Sequence, residues 1–432
     1  MLILTVIYLF LSFYLIRKWR VFRFENISNI HLSLAFITKL FGAFILYYVY
    51  TEIYRDRQTA DIFKFYDDSL ILAQVFFDSP VDFIKIIMGI HEDHFLMDYF
   101  INMNHWDNSY ESVITNESRI VIKICAIVNL ISFNNYSVNV ITFTMMGYIG
   151  IILSIKSIAS LFPSKYALHL FWCIVLCPSI FIWSAGILKE PLILLGIGMF
   201  IFGIIPLTKK KEKKGVNWVL TAAGLIILLK VKLYIFCCIL PTAIVLVLST
   251  NKKYKPLPLL LGIYLFILSV VLALHLNKFG FDPIKLISIK QQDFTNLATF
   301  YKAGSYFEIP LINSNFLDFL TAIPMGLFNG LFRPLPWDIE KTIHMLPFIE
   351  SCLIFTFISI VLFRFISQKV YLNMKDNMYL VGFSSFTFLL YTLIGITTPV
   401  VGALVRYKIP GILFLILSIY ILHIHNLNHE KK

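Results

Sequence analysis

Apolar runs recur from one end of the chain to the other, each close to the roughly 20 helical residues that cross about 30 Å of hydrocarbon. Between them stand short basic clusters: Arg17 to Arg23, Lys156 with Lys165, the "KKKEKK" run from Lys209, "NKKYK" from Asn251, Arg364 to Lys375, and the terminal "HEKK". Placing every cluster on the cytoplasmic side, as basic residues flanking membrane spans are placed, gives one consistent alternation. It predicts helices over 1–16, 32–50, 136–158, 166–183, 191–208, 216–230, 234–250, 256–275, 347–366, 378–396 and 410–425. The pattern is therefore that of an all-α, polytopic integral membrane protein with about 11 transmembrane helices, N-terminus outside and C-terminus inside. One transmembrane domain is expected to occupy 1–432. The first run ends in "RKWR" with no small-residue cleavage site, so it reads as a retained helix.

Composition agrees with this pattern. Of 432 residues, 58% are hydrophobic and only 14% charged, against about a quarter charged in an ordinary soluble domain. Strands of a membrane barrel would be shorter and alternating, which these runs are not. The net charge of +12 comes from clusters beside apolar runs, so it reports orientation and not a nucleic-acid partner. The six cysteines lie in apolar segments without metal-type spacing and read as hydrophobes.

Two long segments fall on the outer side. The first, 51–135, is rich in Asp and Glu, and its stretches "SLILAQVFF" and "ESRIVIKICAIVNLISF" have the amphipathic spacing of helices lying on a membrane surface. The second, 277–347, contains an apolar stretch, 316–332, expected to dip into the bilayer or cap the bundle. Two glycosylation-type triplets, at Asn116 and Asn135, arise often by chance and identify no host.

Candidate chemistry gathers on that outer side. Asp67 and Asp68 open an amphipathic helix; they suit a helix cap, and equally a general base whose pKa a neighbouring acid raises. Lys189 and Glu190 stand in "CPSIFIWSAGILKEPLILLG", at the tip of an outer turn. There they either snorkel to the surface or, as a compact ammonium with an orienting carboxylate, hold a phosphate. "LFRPLPWDIEKTIH" offers Arg333 for bidentate phosphate contact and Trp337 as a flat face for a sugar ring, along with Asp338, Glu340, Lys341 and His344. The competing account of Arg333 is a helix C-cap. Arg406 and Lys408, in "TTPVVGALVRYKIPG", are two cations on the side where positive-inside statistics disfavour them, which argues for an electrostatic role. Lys39, near the start of the second helix, is expected to snorkel inward. His91, His94 and His105 share the first outer loop with many acids, but no HExxH-type motif supports a metal, so no metal ligand is assigned.

"CPSIFIWSAGILKEPL", following a long acidic first outer loop, resembles the C-type membrane glycosyltransferases. "FRPLPWD" and "LVRYKIP" are similar to motifs in bacterial members associated with surface polysaccharide. The resemblance implies a many-helix fold with helices in the first outer loop. It also implies transfer of a sugar from a polyprenyl-phosphate donor to a hydroxyl of a lipid-linked or surface glycan. The expected site is on the outer face of a bacterial inner membrane. Asp68 would correspond to the acid of the first-loop motif, with Asp67 where members tend to have glycine, so either aspartate could be the base. Lys189, Arg333 and Arg406 would contact the donor phosphate. Some members hold a divalent metal with a second acidic motif; none stands out here, and no cofactor is assigned. The implied partners are the lipid-linked donor, the glycan acceptor and membrane lipids, with no nucleic acid. Two other functions fit the same layout. One is a polysaccharide polymerase or ligase using a diphosphate-linked oligosaccharide lipid; the other is a flippase for lipid-linked sugar, although a transporter would concentrate its charges near the bilayer midplane.

Overall fold

The protein is described by a computed structural model covering residues 1–53, 55, 57, 60–90, 97–106, 117–209, 214–251, 253–277, 280–300, 303–339, 344–367 and 374–429. His91, His94, Asn116, Glu340, Lys341 and the centre of the lysine run lie outside the described residues. Regular structure among the described residues is helical, with one isolated antiparallel bridge between Tyr306 and Val400.

The first helices are α1 (Leu2–Lys18), α2 (Asn29–Tyr48), α3 (Asp61–Asp78), α4 (Pro80–Met88), α5 (Met97–Phe100) and α6 (Glu117–Ser132). There follow α7 (Tyr136–Ala159), α8 (Ala167–Val175), α9 (Pro178–Trp183), α10 (Lys189–Leu207), α11 (Lys214–Val231) and α12 (Leu233–Leu248). The last are α13 (Pro256–Asn277), α14 (Pro283–Phe300), α15 (Phe316–Phe332), α16 (Met345–Ser367), α17 (Met374–Thr397), α18 (Val401–Tyr407) and α19 (Ile409–His429).

Among the described residues, six helical stretches are long and apolar enough to cross a membrane: Asn29–Ile53, Tyr136–Ala159, Lys189–Leu207, Pro256–Leu276, Met345–Ser367 and Asn377–Thr397. The pair α18 and α19, bent by 52° at Lys408, makes a seventh if it is one broken span. Pro410 explains the bend: it has no N–H for the Arg406 carbonyl, and its ring crowds the preceding turn. The helices thus fit a multi-pass membrane protein with six or seven spans of full length, fewer than the eleven predicted. The predicted span 166–183 is broken, since α8 ends at Val175 and α9 restarts at Pro178. α11, α12 and α15 are apolar but shorter.

The chain forms two compact units. The first comprises Met1–Leu176, Ile180–Gly203 and Lys213–Phe236; the second comprises Cys177–Ser179, Ile204–Glu212 and Cys237–Lys432. In the first, the amphipathic α3 and α6, which the spacing predicts as helices, pack against each other, and α6 also meets α7 and α11. A buried chain of hydrogen bonds fixes three of these helices together. Asn139 on α7 donates to Asn129 Oδ1 on α6 (2.6 Å), and Asn129 donates to Ser69 Oγ on α3 (2.9 Å). This buried polar network specifies one register between helices that apolar contacts alone would leave free to slide, although the Asn139 Oδ1 atom itself has no hydrogen-bond donor among the described residues.

In the second unit α17 is the centre, contacted by α13, α14, α15 and α19. The stretch 316–332, expected to dip into the bilayer or cap the bundle, forms α15 and packs along α17. Gly326 and Gly330 form a GxxxG pair that lets the two backbones touch. A Cβ on Gly330 would stand 2.8 Å from the Tyr391 carbonyl carbon, and one on Gly326 would stand 2.7 Å from the Thr392 oxygen.

Candidate functional site

The candidate residues fall into two sets, one in each unit. In the first unit, α3 begins at Asp61, so Asp67 and Asp68 lie within the helix and do not open or cap it as the sequence suggested; they stand on different faces. Asp67 is half exposed and makes a two-point pair with Arg57, at 2.6 and 3.0 Å. Asp68 is 1% exposed and accepts the backbone N–H groups of Asn104 (3.0 Å) and His105 (2.7 Å). It therefore pins the segment after α5 onto α3. Burial pushes the Asp68 carboxyl above the ordinary range, more than the two N–H bonds lower it. Burial likewise holds the His105 imidazole below its usual range. Next to this segment, Trp106 is fully buried, stacked on Phe100 (4.6 Å between centroids) with the Arg119 guanidinium 4.9 Å from its ring.

Lys189 and Glu190 open α10 and are both buried, at 8% and 2% exposure. The turn tip that the sequence suggested is thus enclosed by the fold. Lys189 Nζ lies 3.4 Å from Glu117 Oε2, and Lys232 Nζ lies 3.1 Å from the same oxygen. The ends of four helices bring these groups together: α6 begins at Glu117, α10 begins at Lys189, and Lys232 sits between α11 and α12. Burial alone would push the Glu117 carboxyl up, but the Lys232 and Lys189 ammonium groups outweigh it and hold the group below its ordinary range. The Lys189 ammonium also stands 5.7 Å from the Phe65 ring. Phe65 is one helical turn before Asp68, so α3 places the aspartate and Lys189 in one neighbourhood.

In the second unit, Arg333 ends α15. Its Nε donates to Asn329 Oδ1 (3.0 Å), its Nη1 pairs with Asp338, and its guanidinium carbon lies 3.8 Å from the Phe307 ring centre. Asp338 also accepts the Leu335 N–H at 2.7 Å. This makes the "RPLPWD" turn a closed structure with its arginine neutralised by its own aspartate. Phe307 is positioned by hydrogen bonds from Phe307 N to the Pro399 carbonyl (2.9 Å) and from Val401 N to the Ser305 carbonyl (3.0 Å). Gln291 on α14 fixes the rest of that segment through Pro310, Ile312 and Ile396. Trp337 is 75% exposed. Lys408, 5% exposed, donates to the Arg333 carbonyl at 2.6 Å, while Arg406 is half-buried.

Lys408 also lines a cavity of about 20 Å³ together with Glu350. Glu350 lies within α16, is 4% exposed, and accepts the backbone N–H of Ser179.

Three residues of these sets were not singled out from the sequence: Glu117, Lys232 and Glu350. A carboxylate inside an apolar run marks Glu350 by the cost of placing it there. Lys232 carries the same signal as Arg406 and Lys408, a cation at the end of a span where basic residues are disfavoured. Glu117 has no such mark, since it is one acid among many in its segment. Among the described residues, no group of three or more His, Cys, Asp and Glu side chains is placed to hold a metal ion. Comparison with protein-family models, with curated proteins and with solved structures finds no match.

Proposed function

We propose that this chain is an integral membrane glycosyltransferase. It moves a sugar from a polyprenyl-phosphate donor to an acceptor hydroxyl on the outer face of a bacterial inner membrane, in the synthesis of cell-surface glycan. The observation that carries this reading is the convergence of Lys189 and Lys232 on one oxygen of Glu117 at the ends of apolar helices. Two buried ammonium groups around one oxyanion position suit a phosphate whose lipid tail lies beside the spans, because Coulomb attraction is strong where water is excluded. The six helices long and apolar enough to cross a membrane, or seven with the bent pair α18 and α19, support a multi-pass setting for such a lipid-linked donor.

In the reaction, Asp68 takes the proton of the acceptor hydroxyl as its oxygen bonds to the sugar's anomeric carbon. The bond from that carbon to the phosphate oxygen breaks, and the leaving phosphate keeps the electron pair. Lys189 and Lys232 stabilise the charge that develops there. The two N–H bonds to Asp68 occupy about half of a carboxylate's lone-pair sites and orient the remainder.

The test is to reconstitute the full chain in vesicles with a synthetic polyprenyl-phosphate monosaccharide and an acceptor glycan. Consumption of the donor with release of polyprenyl phosphate is expected, and its loss in Asp68→Asn with folding intact. Near-normal transfer by that variant sinks the role of Asp68. Consumption of only a diphosphate-linked oligosaccharide makes the chain a polymerase or ligase instead. Movement of lipid-linked sugar across the bilayer with no covalent product makes it a flippase.

A further inference from the structure

The cavity between Glu350 and Lys408 has a composition that neither group's helix requires for packing. Its buried lining holds the charged Glu350 and Lys408 with Ser179 beside the apolar Tyr391, Val405 and Ile412, whereas its partly exposed rim is apolar at Leu331, Ile354 and Leu415 and polar at Ser351. The Ser179 N–H and the side chains of Ser179 and Cys177 bond to the Glu350 carboxylate, whose two oxygens offer about four acceptor sites, so capacity remains for a further donor. The Lys408 ammonium carries three N–H donors, and the Arg333 carbonyl takes one. The side chain is set in place by the bend between α18 and α19 at its own position. A carboxylate and an ammonium thus border the same space without closing on each other as an ion pair.

A volume of about 20 Å³ is room for one oxygen-centred group, such as a water. Between a pure acceptor and a pure donor, the group that satisfies both sides is a hydroxyl, which gives one hydrogen and accepts another. An ion of either sign would match one wall and oppose the other. The apolar rim selects further, because whatever carries the hydroxyl leaves the cavity along Leu331, Ile354 and Leu415, inside the span-forming part of the second unit.

We propose that this cavity is a binding subsite for the hydroxyl group of an amphiphilic alcohol. Glu350 accepts its hydrogen and Lys408 donates to its oxygen, while its apolar chain runs out over the rim. The subsite stands on this cavity alone and does not require the chain to be a glycosyltransferase.

The test uses the full chain in lipid nanodiscs with 1-dodecanol and, as a control that accepts but cannot donate, dodecyl methyl ether. Difference infrared spectroscopy should show a change in the carboxylate band of Glu350 on adding the alcohol. That change should be missing with the ether and in Glu350→Gln, whose side-chain carbonyl still accepts the Ser179 N–H. Lys408→Met should weaken the alcohol response about tenfold or more, the weight of a charge-assisted hydrogen bond. Ile354→Trp, placed on the partly exposed rim, should block the response while leaving both charged groups in place, and covers the case in which Glu350→Gln fails to fold. An equal change with alcohol and ether, a change that survives in Ile354→Trp, or no change at all, meaning that the cavity takes water only, overturns the proposal.

Discussion

Lys39, fully buried in the middle of α2, donates its ammonium to the carbonyl of Ile180 at 3.0 Å and to that of Val175 at 3.3 Å. The sequence suggested that this lysine snorkels to the membrane surface. It instead supplies hydrogen bonds on both sides of the break between α8 and α9, to the Val175 carbonyl at the end of α8 and to the Ile180 carbonyl, which also accepts the Ser184 N–H at 3.3 Å. Lys39→Met keeps the length of the side chain and removes the donors. Leaving the buried Val175 carbonyl unmet costs about 1–3 kcal/mol, so the variant should unfold at a clearly lower temperature in detergent. An unchanged midpoint would show that the break is held by other contacts.

The cluster of Glu117 with Lys189 and Lys232 makes stability depend on acid in a defined direction. The folded pKa of Glu117 lies below its unfolded value, so its contribution is fully present above the ordinary carboxylate pKa of about 4.3. It is lost as the pH falls from there through the lower folded value. Glu117→Gln should therefore be destabilised at neutral pH by about 3–5 kcal/mol, the scale for breaking a buried pair. The gap to the native chain should narrow as the pH is lowered below 4, and a pH-independent gap in the unfolding midpoint would contradict the assignment.

What the sequence made legible was what periodicity and charge encode locally. The amphipathic spacing marked α3 and α6 as helices with one buried face, and each buries such a face against the other. The break within 166–183 was harder to read because the residues around Pro178 are as apolar as those of a continuous span, and its hydrogen bonds are met from α2, far away in the chain. The same limit applies to the site. Lys189 was conspicuous as a charge in an apolar neighbourhood, but its ion-pair partner Glu117 sits 72 residues earlier. Glu190, its neighbour in sequence, had suggested itself as the partner. In "RPLPWD" the arginine and its aspartate are five residues apart, and only the fold of the turn shows that they neutralise each other.

The approach of α15 to α17 depends on the missing side chain at Gly330. A Cβ there would collide with the backbone of Tyr391, which cannot yield as a side-chain tip would. Gly330→Leu should force the helices apart and shift Tyr391, which lies against the Lys408 ammonium at 5.7 Å from its ring. Loss of compactness in the second unit, read as increased proteolysis or hydrogen exchange in α15 and α17, is expected. Gly262, with nothing near its Cβ position, should tolerate Ala with no such change. Equal behaviour of the two variants would argue against close backbone packing at Gly330.

Asp68 ties the segment after α5 to α3 through two backbone N–H groups, and this can be measured apart from any reaction. In Asp68→Asn one acceptor oxygen becomes an NH₂ facing an N–H donor, and the remaining bond is no longer charge-assisted. Hydrogen exchange at the amides of Asn104 and His105 should therefore quicken by about tenfold or more, the equivalent of losing one bond to a charged group. Lowering the pH acts with the opposite sign to Glu117 on global stability. The folded pKa of Asp68 lies above its unfolded value, so the folded state takes up the proton first and gains stability as the pH falls between the two. Comparing the native chain with Asp68→Asn across pH 3–7 isolates that gain. Amide exchange at Asn104 and His105 that is the same in both proteins would show that Asp68 does not hold the segment.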